Sequence, residues 1–380
     1  MGAQMSLFNL HDGYAEASVR GNRSALLTPE DYRKLTLCET LEDLRSALED
    51  TDYAGFMQDE PLPITVTAIS ARLREKMADE FRVLQSLADQ PLRQFLEFIV
   101  AERMIDNVVT LIQGAMNGKS QEELMAKADP LGWTPEMKAL LAIDATNGYE
   151  DMYRTVLVET PVGGYFEDYL DKKQESGDQE NLSELDLEIM RASLKKSWLE
   201  DFFSFCNQLP WTTQEIMADI LNRQADFLCL SVTLNSLNSP MGGQTKLSDR
   251  NALFPHFGYL YPAATEALRK ATNEQTIRAA IDTFPQYLEV FEQCRGYYIR
   301  NTDQEQVNEN QFSLEDALYR QELTMYEMAF EQQMHYGVFY SWVKLKEQEI
   351  RNILWVADMI LMNRRDTCMD MVLPIFAPRI

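Results

Sequence analysis

Thr28-Pro29-Glu30 returns 106 residues later as Thr134-Pro135-Glu136. Both phrases place a good N-cap, a proline at the first helical position and an acid in the first turn. Downstream, Glu42-Asp43 matches Glu150-Asp151, and Thr51 and Gly55 match Thr160 and Gly164. The offset drifts only from 106 to 109, in one direction, as short insertions would make it. A fainter third copy pairs Pro29 with Pro262, Leu44-Arg45 with Ile277-Arg278 and Asp50-Thr51 with Asp282-Thr283. Repeats of this length must bury their apolar faces against one another. The division expected is residues 1–120, 121–245 and 246–380, three similar helical units in one body.

The periodicity inside the repeats is helical. Ile69, Leu73, Met77, Phe81, Leu84 and Leu87 recur at spacings of three and four, with charged residues between them. Leu187, Met190, Leu194, Trp198 and Phe202 form a second stripe, with Ser183 and Asp186 as its capping pair. Glycine is scarce, 16 in 380 residues, which favours helix over a turn-rich β fold. From Leu323 to Met362 there is no proline and one glycine, Gly337, so one very long helix or two broken near Gly337 are expected. Lys172–Glu180 and Asn301–Gln311 lack apolar anchors and read as exposed loops. The fold expected is all-α. Three units, each ending in the helix that opens the next, close as a ring or a funnel with a pseudo-three-fold arrangement.

The formal charge is −25. That argues against nucleic acid as a partner, because phosphate binding needs clustered Lys and Arg. It argues equally against adhesion to anionic lipid by a broad basic face. The five cysteines are an odd number, spread along the chain without C-x-x-C spacing, which is the usage of a reducing compartment. No secretory signal opens the chain. Its most apolar stretch, Phe227 to Leu237, is interrupted by Ser231, Thr233, Asn235 and Ser236, and a spanning helix needs about 20 mostly apolar residues. The expected place is the cytosol or a cytosolic surface.

Catalytic chemistry finds little support. Gly114 to Ser120 resembles a nucleotide-binding P-loop but is one residue short, with Gln113 where the first glycine belongs, and an apolar helix rather than a strand precedes it. The plainer reading is that Gly118 ends that helix in a left-handed cap, while Ser120 and Glu123 box the next. His11, His256 and His335 are far apart and read as helix-end or interface histidines, so no metal and no cofactor is expected. Glu167-Asp168 and Glu200-Asp201 read as solvated surface. No nucleophile elbow and no dinucleotide fingerprint is present, and no catalytic residue is assigned. Met1-Gly2-Ala3-Gln4-Met5-Ser6 fits the N-myristoylation pattern at Gly2, although one acyl chain would need a second anchor.

Longer runs carry more information. Val338 to Ile353 (VFYSWVKLKEQEIRNI) resembles the C-terminal signature of subunit d of the vacuolar-type proton ATPase. So do Cys38 to Leu44 with Thr51-Asp52-Tyr53, Gly164 to Asp168, Leu199 to Phe202, Leu253 to His256 with Leu260-Tyr261-Pro262, and Leu373 to Phe376. The blocks run in order from about residue 8 to 376. The chain departs in a four-residue N-terminal extension and in longer loops near Lys172–Glu180 and Tyr297–Gln311. The resemblance implies an all-helical funnel of three units, which agrees with the repeat. It implies a non-catalytic rotor subunit that sits on the proteolipid c-ring, receives the central stalk and passes torque to the ring. Its expected place is then peripheral, on the cytosolic face of acidic organelle membranes (vacuole, lysosome, endosome), reached through protein partners. Polar positions on the helices that open each unit, Glu102, Asp106, Asn107, Arg223, Asp226, Arg351 and Asn352, are expected to line or brace the inner surface. The bland alternative is that they satisfy one another within the bundle. A soluble helical-repeat adaptor is the competing class, and an enzyme on the same scaffold the third.

Overall fold

A computed structural model describes residues 8–57, 60–135, 137, 160–175, 184–238, 250–294, 314–364 and 368–377. Its helices are, in order, α1 (Gly13–Gly21), α2 (Pro29–Thr36), α3 (Leu41–Glu49), α4 (Ala54–Met57), α5 (Val66–Leu87), α6 (Leu92–Met116), α7 (Gln121–Lys127) and α8 (Gly163–Glu175). There follow α9 (Glu184–Cys206), α10 (Trp211–Asn238), α11 (Ala263–Arg269), α12 (Glu274–Ile281), α13 (Pro285–Cys294), α14 (Leu314–Glu331), α15 (Gly337–Leu361) and α16 (Cys368–Met371). Among the described residues there is no strand, and the chain is all-α.

The capping residues of the sequence start these helices. Thr28, with Pro29 behind it, forms a reciprocal capping box with Asp31 at the head of α2. Thr40 does the same with Asp43 for α3, Ser120 with Glu123 for α7, and Asn273 with Thr276 for α12. Each box satisfies two backbone N–H groups that the helix cannot, worth about 1 kcal/mol apiece. Gly118 stands at φ +66°, and the Lys119 N–H returns to the Gly114 carbonyl at 3.0 Å. The near-miss P-loop is therefore a helix end followed by a helix start, with no phosphate cradle between them.

The chain packs as two compact units, one of Met1–Gly164 with Tyr326–Ile380, the other of Tyr165–Met325. In the first unit α15 is the centre. Val338, Phe339, Tyr340, Trp342, Val343 and Leu345 are all buried on consecutive turns, and the helix lies against α1, α2, α3, α5 and α6. A helix buried nearly all round is what its high apolar content requires. The α5 stripe faces it through Ile69, Leu73, Met77, Phe81 and Leu84, while Leu87 at the end of the stripe is 37% exposed. Each such side chain contributes roughly 1.5–3 kcal/mol by leaving water. In the second unit α9 lies along α10, and the Leu187-to-Phe202 stripe is buried. Phe227 and Leu230 of α10 join Leu268, Ile277, Tyr287 and Phe291 in its core.

The region from Leu323 to Met362 is two helices. α14 stops at Glu331, Met334 adopts φ 64°, and α15 begins at Gly337 itself. The Lys172–Glu180 loop needs correction, because α8 continues through Glu175; a polar run at a helix C-terminus carries enough helix formers to extend it by a turn. Residues 176–180, the Asn301–Gln311 loop, the Ser183 cap and Glu150-Asp151 lie outside the described residues. Cys38, Cys206, Cys229 and Cys368 are buried free thiols, as the cysteine usage led one to expect.

Candidate functional site

The polar positions singled out on the long helices fall into two groups, one in each compact unit. Glu102, Asp106 and Asn107 lie on α6, and Arg351 and Asn352 on α15, in the first unit. Arg223 and Asp226 lie on α10 in the second. Gly2 lies outside the described residues.

In the first unit α6 and α15 exchange charges. Lys344 Nζ reaches both carboxylate oxygens of Glu102 at 2.7 Å. Arg103 meets Glu347 at 3.1 Å, Glu102 at 3.3 Å and Asp106 at 3.9 Å. Burial works against the Arg103 guanidinium, but Glu347, Glu102 and Asp106 outweigh it and hold its proton well above the ordinary arginine range. Two asparagines act as brackets. Asn107 donates to the Asp129 carbonyl at 2.9 Å and accepts from the Asp129 N–H at 2.7 Å, fixing the turn Pro130–Gly132 against α6. Asn352 donates to the Leu373 carbonyl at 2.7 Å and accepts from the Leu373 N–H at 3.1 Å, fixing the C-terminal segment against α15. A side-chain amide presents one donor and one acceptor side by side, so it completes a backbone pair that no helix or sheet satisfies.

Between these groups a cleft of about 450 Å³ is lined by Asp106, Asn107 and Arg351, with Arg74, Lys127, Trp355 and Asp358 around them. Glu102, Asn107 and Asn352 are buried and occupied by internal partners. Asp106 is half-buried, and Arg351 is exposed with a bond to Gln348 at 3.3 Å. The first unit thus divides the chosen residues into braces (Glu102, Asn107, Asn352) and cleft-facing charges (Asp106, Arg351).

In the second unit Asp226 is 1% exposed and accepts three bonds, from the Tyr287 hydroxyl at 2.6 Å and from the N–H groups of Leu260 and Tyr259 at 3.0 and 3.2 Å. Burial pushes its carboxyl up to about 6, against the opposite pull of those bonds and of Arg223. Arg223, half-buried, pairs with Asp219 at 3.3 Å.

Reading by residue type misses the partners of these positions. Lys346 and Glu349, both fully buried, pair at 2.8 Å; Tyr53 donates to Glu349 at 2.6 Å, and the Leu27 N–H does so at 2.5 Å. The available signal is a cation three residues before a carboxylate inside an apolar run. It occurs as Arg103 with Asp106 on α6, Arg223 with Asp226 on α10, and both Lys344 with Glu347 and Lys346 with Glu349 on α15. Glu200 also needs correction: it is not merely solvated, since it accepts from the His256 N–H at 2.9 Å. His335 is buried, and burial drives its imidazole down to about 4.

Among the described residues no group of three or more His, Cys, Asp or Glu is disposed to hold a metal, and no helix is long and apolar enough to cross a membrane. The arrangement is one of buried braces between helices with charged residues lining a cleft, a geometry that holds shape.

Residues 15–371 match the model of the ATP synthase (C/AC39) subunit family. The chain is 38% identical over 371 residues to the V-type proton ATPase subunit d of Dictyostelium discoideum, covering 97% of this chain and 96% of that one. It is 36% identical over 375 residues to the probable V-type proton ATPase subunit d of Oryza sativa subsp. japonica, covering 99% of each. The Saccharomyces cerevisiae V-type proton ATPase subunit d is 33% identical over 361 residues, covering 94% of this chain and 96% of its own. With full-length likeness at this level, the chain belongs to the V-type proton ATPase subunit d family, within the ATP synthase (C/AC39) subunits.

Proposed function

We propose that this chain is a non-catalytic rotor subunit of a vacuolar-type proton-pumping ATPase, joining the central stalk to the proteolipid c-ring and transmitting torque between them. The observation that carries the reading is the likeness along nearly the whole chain to proteins named V-type proton ATPase subunit d. The physics agrees with it. A torque coupler needs stiffness, and helices such as α6, α10 and α15 supply it, cross-braced by Lys344–Glu102, Asn107 and Asn352. In this role the chain reaches the cytosolic face of acidic organelle membranes through its protein partners.

The three-unit funnel belongs to the same proposal. Its support is a recurrence between the first and third copies. α2 follows Thr28 and α11 follows Pro262; α3 is boxed by Thr40 and ends at Asp50, while α12 is boxed by Asn273 and ends at Asp282. Shortly after each, a tyrosine hydroxyl bonds a carboxylate on a long helix, Tyr53 to Glu349 and Tyr287 to Asp226. Asp106, Arg223 and Arg351 are the partner contacts proposed on the inner surface, with Glu102, Asn107, Asp226 and Asn352 bracing behind them.

The test is purification of the tagged chain from native membranes, together with acidification assays on vesicles lacking it. Stalk and proteolipid subunits are expected to co-purify through mild salt, ATP-driven acidification to be lost without the chain, and the isolated chain to hydrolyse no ATP. Release by mild salt without those subunits would favour a free adaptor instead.

A further inference from the structure

The loop from His256 to Tyr261 in the second unit is an exposed aromatic surface that its own fold holds rigid. Tyr259 and Tyr261 are each 42% exposed, and the His256 side chain is 68% exposed. Three carboxylates from neighbouring helices fix it. Asp226 accepts from the Tyr259 and Leu260 N–H groups, and Glu200 accepts from the His256 N–H and lies 2.7 Å from its Nδ1. Asp219 accepts from the Tyr259 hydroxyl at 2.6 Å. Phe257 stacks on Phe203 with ring centroids 4.2 Å apart, and His256 meets Tyr261 edge-on at 6.3 Å. Gly258 stands at φ +125°, and a Cβ there would lie 2.5 Å from Asp226 Oδ1, so the backbone presses against the carboxylate that shapes it.

Loops left free in water do not need such support. Rigid, half-exposed tyrosines are instead the residues that anchor protein interfaces, because they lose little entropy on contact. Two carboxylates reach the surface at the loop, Glu200 beside the His256 ring and Asp219 paired with Arg223, while Asp226 is buried beneath it. Tyrosine faces attract cations, and the attraction strengthens as the pair leaves water.

We propose that the His256–Tyr261 loop docks a basic polypeptide segment of the proton pump, with an Arg or Lys side chain laid on the Tyr259 and Tyr261 rings. This rests on the functional reading above. The shape of the loop is set before binding, so the cost of ordering falls on the partner alone. Ring faces supply contact area, and Glu200 and Asp219, with side chains 30% and 45% exposed, supply the complementary charge.

The experiment replaces Tyr261 with the photo-crosslinker benzoylphenylalanine in the full chain and purifies the assembled pump before irradiation. The expected adduct lies on another subunit, within one helical turn of an Arg or Lys. In parallel, Tyr259→Ala with Tyr261→Ala should release the chain from the assembly about tenfold faster in moderate salt, while the two Tyr→Phe changes, which keep the rings, should alter release by less than about threefold. No adduct in an intact assembly, a lipid adduct, an adduct far from any basic residue, or binding of the isolated chain to phosphatidylcholine vesicles through these tyrosines overturns the proposal. Equal release of the Ala and wild-type chains overturns it too. Absence of the chain from any pump assembly overturns the functional reading first, and this inference with it.

Discussion

Gly132 shows how much one residue can decide. A Cβ there would lie 2.5 Å from the Arg103 and Met104 backbone, so the turn that Asn107 brackets can approach α6 only because no side chain intervenes. Gly132→Ala should cost about 1–3 kcal/mol, read as a lower denaturant midpoint at unchanged slope. Asp226 and His335 make a second residue-scale case, because burial shifts them in opposite senses. The Asp226 carboxyl moves from 3.8 to about 6, so the folded chain keeps a proton that the unfolded chain has released. Its contribution to stability is full below about pH 4 and is lost as pH rises through 6. The His335 imidazole moves from 6.5 to about 4, so its contribution is present above pH 6.5 and is lost as pH falls toward 4. Each is on the order of 3 kcal/mol at most. Over that range, Asp226→Asn should make stability rise more steeply with pH than in the wild type, and His335→Gln less steeply. Hydrogen exchange read separately in the two compact units is the measurement, since Asp226 lies in one and His335 in the other.

α15 carries the clearest lesson at the scale of an element. A helix of 25 residues that buries Lys346 and Glu349 completely can do so only because the two charges meet at 2.8 Å through Glu349 Oε1, which also accepts from the Tyr53 hydroxyl, while Oε2 accepts from the Leu27 N–H. Glu349→Ala leaves the Lys346 charge buried without its carboxylate and should cost about 3–5 kcal/mol by chemical denaturation. Lys346→Met combined with Glu349→Leu should recover part of that loss, because it removes the buried charge but leaves the Tyr53 hydroxyl and the Leu27 N–H without their Glu349 acceptor. A double variant as unstable as the single one would show that the ion pair itself, and not the unpaired charge, sets the energy. The caps at Thr28 and Ser120 were legible in advance because they act on neighbours three residues away, and the boxes at Thr40 and Asn273 work over the same short distance. The partners of Glu349 were not, because Tyr53 and Leu27 lie about 300 positions distant in the chain.

The whole molecule folds its end back onto its beginning. Tyr326–Ile380 belongs to the same compact unit as Met1–Gly164, with α15 as that unit's centre. Deleting Tyr326–Ile380 should therefore abolish protection from hydrogen exchange in α1 to α6, nearly the whole chain length away, whereas fraying of a terminal appendage would leave them protected. The net charge of −25 acquires a role at this scale. It opposes nucleic acid and anionic lipid, and it is the sign of charge that the basic segment proposed for the His256–Tyr261 loop would complement.

The sequence by itself determined the helical class, the helix starts at Thr28 and Ser120, the repeated phrases and the family. All of these rest on interactions between residues a few positions apart, or on long runs of identity. It also marked Glu102, Asn107, Asp226 and Asn352 as exceptional, since a polar residue inside an apolar run must find a partner or lose several kcal/mol. Only the tertiary structure decided what those partners are. Asn107 closes on Asp129, Asn352 on Leu373, Asp226 on Tyr287 and on the loop at Tyr259, and Glu102 on Lys344. Hydrogen bonds and ion pairs are short-ranged in space and indifferent to distance along the chain. A sequence can therefore reveal which residue needs a partner, while the fold alone brings that partner within 3 Å.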